Sequence, residues 1–274
     1  MAYFQKTIRP DIIDGDVSKV VGSNIVTSPT EDTTNDVAFS NLDLVFDWTP
    51  IDVPLRVDSV TDGLIHMYGR MGLIQSPSLH LLIAKSNNGA APTSLGNENS
   101  PITGCYELAD ILLGTMRFKH NFGLSLGGFA GTILRYNEDT GLYSGTGSAI
   151  PIEPEYNSLG GKTTNRIYVA CVYTGVGTQY LNFRTGVQPT AQATTSTDTI
   201  AIDGIDPNRV FRVGDTIYTN TDDTALGTIK SMTWGGSSGT IVLNANLAAQ
   251  VEDNEELVNA KPMTVTLSFD IGRS

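Results

Sequence analysis

After Lys261-Pro262 the chain sets Met263, Val265, Leu267, Phe269 and Ile271 against Thr264, Thr266, Ser268 and Asp270 in unbroken alternation. A period of two belongs to a β-strand, whose successive side chains point to opposite faces. One face of this strand is apolar and has to be buried against a second layer. A slip of one residue would turn every one of these side chains to water, so the register of its neighbours is tightly specified.

Earlier segments share the habit. Leu42, Leu44, Phe46 and Trp48 fall on one face, with Asn41, Asp43 and Asp47 on the other. Leu55–Val60, Leu64–Tyr68, Leu79–Ala84 and Thr132–Tyr136 continue the pattern between Gly and Pro breaks, as antiparallel strands do. Arg166–Tyr173 is apolar on both faces and belongs in the middle of a sandwich. With 28 glycines in 274 residues and 17% charged residues, below the usual quarter, the chain is built for turns between strands rather than for a helix bundle. The best helical candidate, Tyr106–Leu113, is short. Asn87–Gly104 and Gly141–Gly161, rich in Gly, Ser, Asn and Thr, read as surface loops.

A composition break at Gln188–Thr197 suits a linker. Beyond it come short, closely spaced strand signals at Thr199–Ile202, Asp215–Tyr218, Leu226–Met232, Thr240–Leu243 and Glu256–Val258, which fit a small closed barrel. The long alternating segment that follows matches the first set of strands, so it is expected to return to their sheet. The division expected is an extended arm over 1–36, a β-sandwich over 37–190 and 261–274, and an inserted small β-barrel over 191–260.

The opening to about Asp36 is polar and broken by Pro10, Gly15, Gly22 and Pro29, yet it carries Tyr3, Phe4, Ile8, Ile12 and Ile13. Such a segment has too few apolar residues to fold alone. Those five residues are the candidates for binding a partner, the arm lying against a neighbouring subunit.

Charge and chemistry narrow the function. Twenty-nine acidic against 17 basic side chains give a formal net charge of −12, which disfavours a nucleic-acid or anionic-membrane partner. No HExxH, GxSxG or GxxxxGK[ST] string occurs, and His66, His80 and His120 sit in unrelated contexts, so no catalytic residue is assigned. Gly123–Gly131 lacks the following helix of a phosphate cradle. The clusters Asp11, Asp14, Asp16 and Asp203, Asp206 depart from the EF-hand pattern and read as solvated turns, so no metal or cofactor is expected. Trp234, Tyr136 and Tyr143 are the aromatics best suited to stack on a sugar. Cys105 and Cys171, far apart and outside any CxxC pair, are expected to stay reduced. With neither a signal-type apolar region nor a stretch of about 20 apolar residues, folding in a reducing cytoplasm is expected.

The strings Arg212–Asn220, Leu226–Met232, Thr240–Leu243 and Asp253–Val258 resemble the small β-barrel modules of tailed-bacteriophage virion proteins, in which "GD.(I/L)Y", "LGTI" and "TI.L" strands recur in order. The first domain, with its Thr-rich arm and loop-rich sandwich, is similar in style to phage head-decoration (cement) proteins with jelly-roll cores. The resemblance implies an all-β chain: a jelly-roll-like antiparallel sandwich with an extended N-terminal arm and an inserted small β-barrel. It implies a structural protein that decorates and stabilises a capsid, with the major capsid protein and further copies of itself, as a trimer, for partners. Its place would be the virion, assembled in the host cytoplasm. The alternative is a tail or adsorption-apparatus protein that binds a host-surface glycan or receptor. A polysaccharide-degrading enzyme would need two carboxyls set across one cleft.

Overall fold

The structure, a computed structural model, describes residues 2–14, 19–20, 39–68, 78–87, 89–98, 100–103, 105–118, 123–125, 132–135, 149–152, 155–156, 162–175, 185–219 and 224–271. The described residues are mostly β-strand with almost no helix. The larger sandwich uses β1 (Ala2–Ile8), β2 (Leu44–Val53), β3 (Val57–Met67), β4 (Leu79–Lys85), β5 (Leu112–Phe118), β6 (Thr132–Arg135) and β7 (Lys162–Tyr173). The inserted module uses β8 (Val187–Pro189), β9 (Thr199–Gly204), β10 (Thr216–Thr219), β11 (Ala225–Trp234), β12 (Gly239–Leu243) and β13 (Leu257–Asn259). The chain then returns to the sandwich as β14 (Met263–Ile271).

One sandwich sheet runs β1-β14-β3-β6, extended by Gly123–Ser125, and the other runs β2-β7-β4-β5. The first strand therefore pairs with the last, β2 with β7, β3 with β6 and β4 with β5, all antiparallel. This is the pairing of one long antiparallel ribbon rolled into two layers, the jelly-roll order. Between the layers lie Val45, Phe46, Ile51, Ile65, Met67, Leu81, Ile83, Met116, Phe118, Ile167, Val169, Cys171 and Tyr173, closed by Met263, Val265, Leu267 and Phe269 of β14. Cys171 is a free, fully buried thiol, and burial pushes its pKa up.

β7 is buried on both faces. Its outer face, with Ala170 and Val172, meets Leu44 and Leu95 in a smaller cluster. Leu95 comes from the loop read as surface cover. That loop is tied down: Leu95 N–H donates to Asp47 Oδ1 at 3.1 Å, and Trp48 Nε1–H donates to the Thr93 carbonyl at 3.0 Å. A central strand apolar on both sides needs such a lid.

Several boundaries differ from the sequence reading. Phe46 points into the main core, whereas Leu44 and Trp48 serve the outer cluster, because the β2–β7 register shifts twice between Leu44 and Thr49. Each bulge inserts a residue and inverts the faces beyond it. Leu42, half-exposed, stands before the strand with φ 72°. The two strand signals from 55 to 68 are one strand, β3, running through Gly63; a Cβ there would sit 3.0 Å from Met116 Cε and 3.1 Å from Phe118 Cζ of the facing sheet. The helical signal at 106–113 yields a 3-10 turn at Cys105–Glu107 and a single turn of α-helix, Leu108–Ile111, before β5 begins.

In the inserted module the sheet order is β8-β9-β12-β11-β10-β13. Val187, Ile200, Ile202, Phe211, Ile217, Leu226, Ile229, Ile241, Leu243, Val251 and Leu257 make a core of its own. Its first strand, Val187–Pro189, occupies part of the segment read as a linker, and Ala193 bridges Val251 and is buried. Among the described residues no ladder joins β8 to β13, so the expected closed barrel is an open, curled six-stranded sheet. The strand ends are held instead through Thr185, whose hydroxyl donates to the Leu257 carbonyl.

Candidate functional site

The partner-binding candidates lie on β1 and the residues just after it. β1 pairs with β14 along its whole length, from Ala2 opposite Ile271 to Ile8 opposite Val265. The Phe4 ring packs on Phe269 with centroids 5.8 Å apart, and Ile8 and Ile12 are buried in the sandwich core. The apolar surface of Ile8 and Ile12 is covered by the chain's own residues, and Phe4 is half-buried against the same core. The backbone of Tyr3 pairs with Asp270 and that of Ile13 with Val20, while both side chains lie outside the described residues.

Beyond Ile8 the chain crosses the junction between the sandwich and the inserted module. Here the Arg9 guanidinium grips Asp215 with both ends, Nη1 to Oδ1 at 2.7 Å and Nη2 to Oδ2 at 2.8 Å. Asp215 ends a tight turn, Arg212–Asp215, in which Gly214 adopts φ 91°, a conformation open to glycine. Its Oδ2 also accepts from the Arg212 N–H at 2.7 Å and from Asn259 Nδ2 at 3.0 Å. Asn259 in turn donates to the Val210 carbonyl at 2.7 Å and accepts from the Lys261 N–H at 2.8 Å. Arg9 Nη2 reaches the Lys261 carbonyl at 3.2 Å. The Asp215 side chain is only 4% exposed. A carboxylate this buried is tolerated because it has a planar, bidentate cation and two further donors.

Around this knot, the Lys261 ammonium stands 3.8 Å from Asp11 Oδ2. Burial raises the Asp11 carboxyl above its ordinary value, opposed by Lys261. Tyr218, Val258 and Ala260, which belong to the module, are buried in the sandwich core beside Ile12. The Ile12 N–H donates to the Ala260 carbonyl at 2.9 Å, and the Tyr68 N–H to the Pro262 carbonyl at 2.7 Å. Both oxygens of Asp215 are engaged, so the arrangement is one that joins parts of the chain.

The remaining candidates scatter. Asp206 accepts from the Asn208 N–H at 3.0 Å and so caps a short 3-10 turn, and Trp234 packs against the module core. The His66 ring meets Tyr68 at a tilt of 47°, with centroids 4.2 Å apart. His80 presents a buried Nε2 with no hydrogen-bond partner among the described residues. Asp16, His120, Tyr136, Tyr143 and residues 126–131 of the glycine-rich stretch lie outside the described residues. Among the described residues no three His, Cys, Asp or Glu side chains are grouped to hold a metal ion, and no helix is long and apolar enough to cross a membrane.

Arg9, Asn259 and Lys261 escape a sequence reading because Arg9 and Asp215 are separated by 206 positions. The one available signal is Gly214-Asp215 within the string Arg212–Asn220, where Asp looks like an ordinary turn residue. Comparison with protein-family models finds no match, and comparison with curated proteins finds none either.

Proposed function

We propose that this protein is a structural virion component of a tailed bacteriophage that decorates the capsid surface, binding the major capsid protein as a homotrimer. The observation that supports it best is the jelly-roll order of the sandwich, with a second all-β module inserted before its last strand. Jelly rolls are a recurring architecture of viral capsid and lectin domains. The inserted module also carries the strand strings that resemble phage virion modules. Self-association with closed symmetry lets each copy repeat one contact where three shell subunits meet. Because Phe4, Ile8 and Ile12 serve the chain's own core, the attachment is assigned to β1 as the edge strand of its sheet, where Gln5, Lys6 and Thr7 are exposed.

The test is co-sedimentation of the full-length protein with undecorated phage shells, alongside sedimentation velocity of the free protein. Binding in fixed stoichiometry, lost in a Lys6→Glu variant that melts like the parent, is the expected result. A chain that ignores every shell but binds defined glycans on an array would instead be an adsorption protein. Tyr106, 98% exposed, is the aromatic to mutate first in that case.

A further inference from the structure

We propose that the N-terminal segment is a latch on the inserted module: docking of residues 2–12 holds the module in one orientation on the sandwich, and undocking lets it turn about Ala260–Pro262. Three stretches of chain meet at this place. Residues 9–12 leave the edge of one sheet, the turn Arg212–Asp215 projects from the module, and Asn259–Pro262 connects the module to β14.

The coupling follows from what each partner loses. When the arm leaves, Asp215, 4% exposed while Arg9 covers it, keeps the Arg212 N–H and the Asn259 amide but loses the bidentate guanidinium. A buried carboxylate stripped of its cation is strongly penalised, and the penalty is relieved by tilting the module so that water reaches the oxygens. Ile12 leaves with the arm and opens the pocket shared by Tyr218, Val258 and Ala260, and the Ala260 carbonyl loses the Ile12 N–H. The effect is reciprocal: a module pushed off its seat takes Asp215 from Arg9 and weakens the docking of β1. A binding event at either end is thereby felt at the other.

The experiment uses the full chain with spin labels on Asp58→Cys in the sandwich and Ser237→Cys at the exposed hairpin tip of the module, in a Cys105→Ser background. Double electron–electron resonance should give one narrow distance distribution. It should broaden and shift in Arg9→Leu and return most of the way in Arg9→Lys, which keeps the charge but not the fork. An unchanged narrow distribution in a folded Arg9→Leu protein overturns the proposal. Should Arg9→Leu fail to fold, native-state hydrogen exchange on the unmodified protein decides. Amides of Ile12, Gly214 and the outer half of β1 should then open together, roughly tenfold or more faster than those of β7, as expected from losing charged hydrogen bonds. Opening of these amides only with β7 overturns it equally.

Discussion

The sandwich and the inserted module are both antiparallel sheets with apolar interiors, but they close over very different spans of chain. In the sandwich β1 pairs with β14, and Gln5 donates to Ser268 across 263 positions. In the module Thr185 reaches Leu257 across 72 positions, and every strand of the sheet falls between Val187 and Asn259. A sheet assembled within its own stretch carries its signals in neighbouring segments. A sheet that closes through the two ends of the chain has to wait for both, and loop closure of that size slows its assembly.

The strongest way to break this comparison is to cut an equal aromatic from each core. Phe269 and Phe211 are both fully buried, one on β14 and one in the module. Each Phe→Ala change should cost about 3–5 kcal/mol. Phe269→Ala should lower the sandwich transition in calorimetry, while Phe211→Ala should split the melt, with the module leaving first. A single transition shifted equally by both would show the two regions unfolding as one unit.

A smaller contrast comes from two glycines. Gly204, with φ 82°, would place a new Cβ 2.2 Å from the Gly186 carbonyl oxygen, a backbone atom that cannot move aside. At Gly63 the obstacles are the side-chain tips of Met116 and Phe118. Gly204→Ala should therefore destabilise the module by about 3 kcal/mol, and Gly63→Ala the sandwich by about 1 kcal/mol. Urea titration read by the tryptophans checks the order; the reverse order would mean the sandwich interior is the less forgiving of the two.

pH separates the regions further. Burial first, and Arg117 second, lowers the His80 imidazole from its ordinary 6.5. The unfolded chain then takes up the proton before the folded one does, so sandwich stability is complete above about 6.5 and declines as pH falls toward the folded-state value. The sandwich transition should drop over that window and the module transition should not, and His80→Leu should flatten the slope. The smallest effect belongs to Arg166, whose Nε meets Asp52 at 2.7 Å with both side chains well exposed. Arg166→Ala should change stability by under about 1 kcal/mol, and a larger loss would reveal the β2–β7 edge as a weak point of the sandwich.

Much of the fold is legible in the sequence because strand period and turn chemistry are local. Met263–Phe269 alternates as read and lies between β1 and β3. Arg166–Tyr173 is the doubly buried strand its pattern indicates, and the short strands from Thr199 to Leu243 stand within a few residues of their signals. The failures are of another kind. Phe46 reads as sharing a face with Leu44 because a bulge leaves no mark in the alternation it breaks, and Leu95 reads as part of a surface loop because its burial depends on a sheet face formed by other strands.

What the sequence determined alone was most of the strands, the apolar faces of those without a bulge, and that the last strand matches the first set. Tertiary structure decided which strands became neighbours, that the module's sheet stayed open, and that Phe4, Ile8 and Ile12 were spent on the chain's own core. It alone brought Arg9 to Asp215. Side-chain period is carried by the nearest residues along the chain, whereas a buried ion pair depends on two remote backbones reaching the same few ångströms, which only the packed whole can arrange.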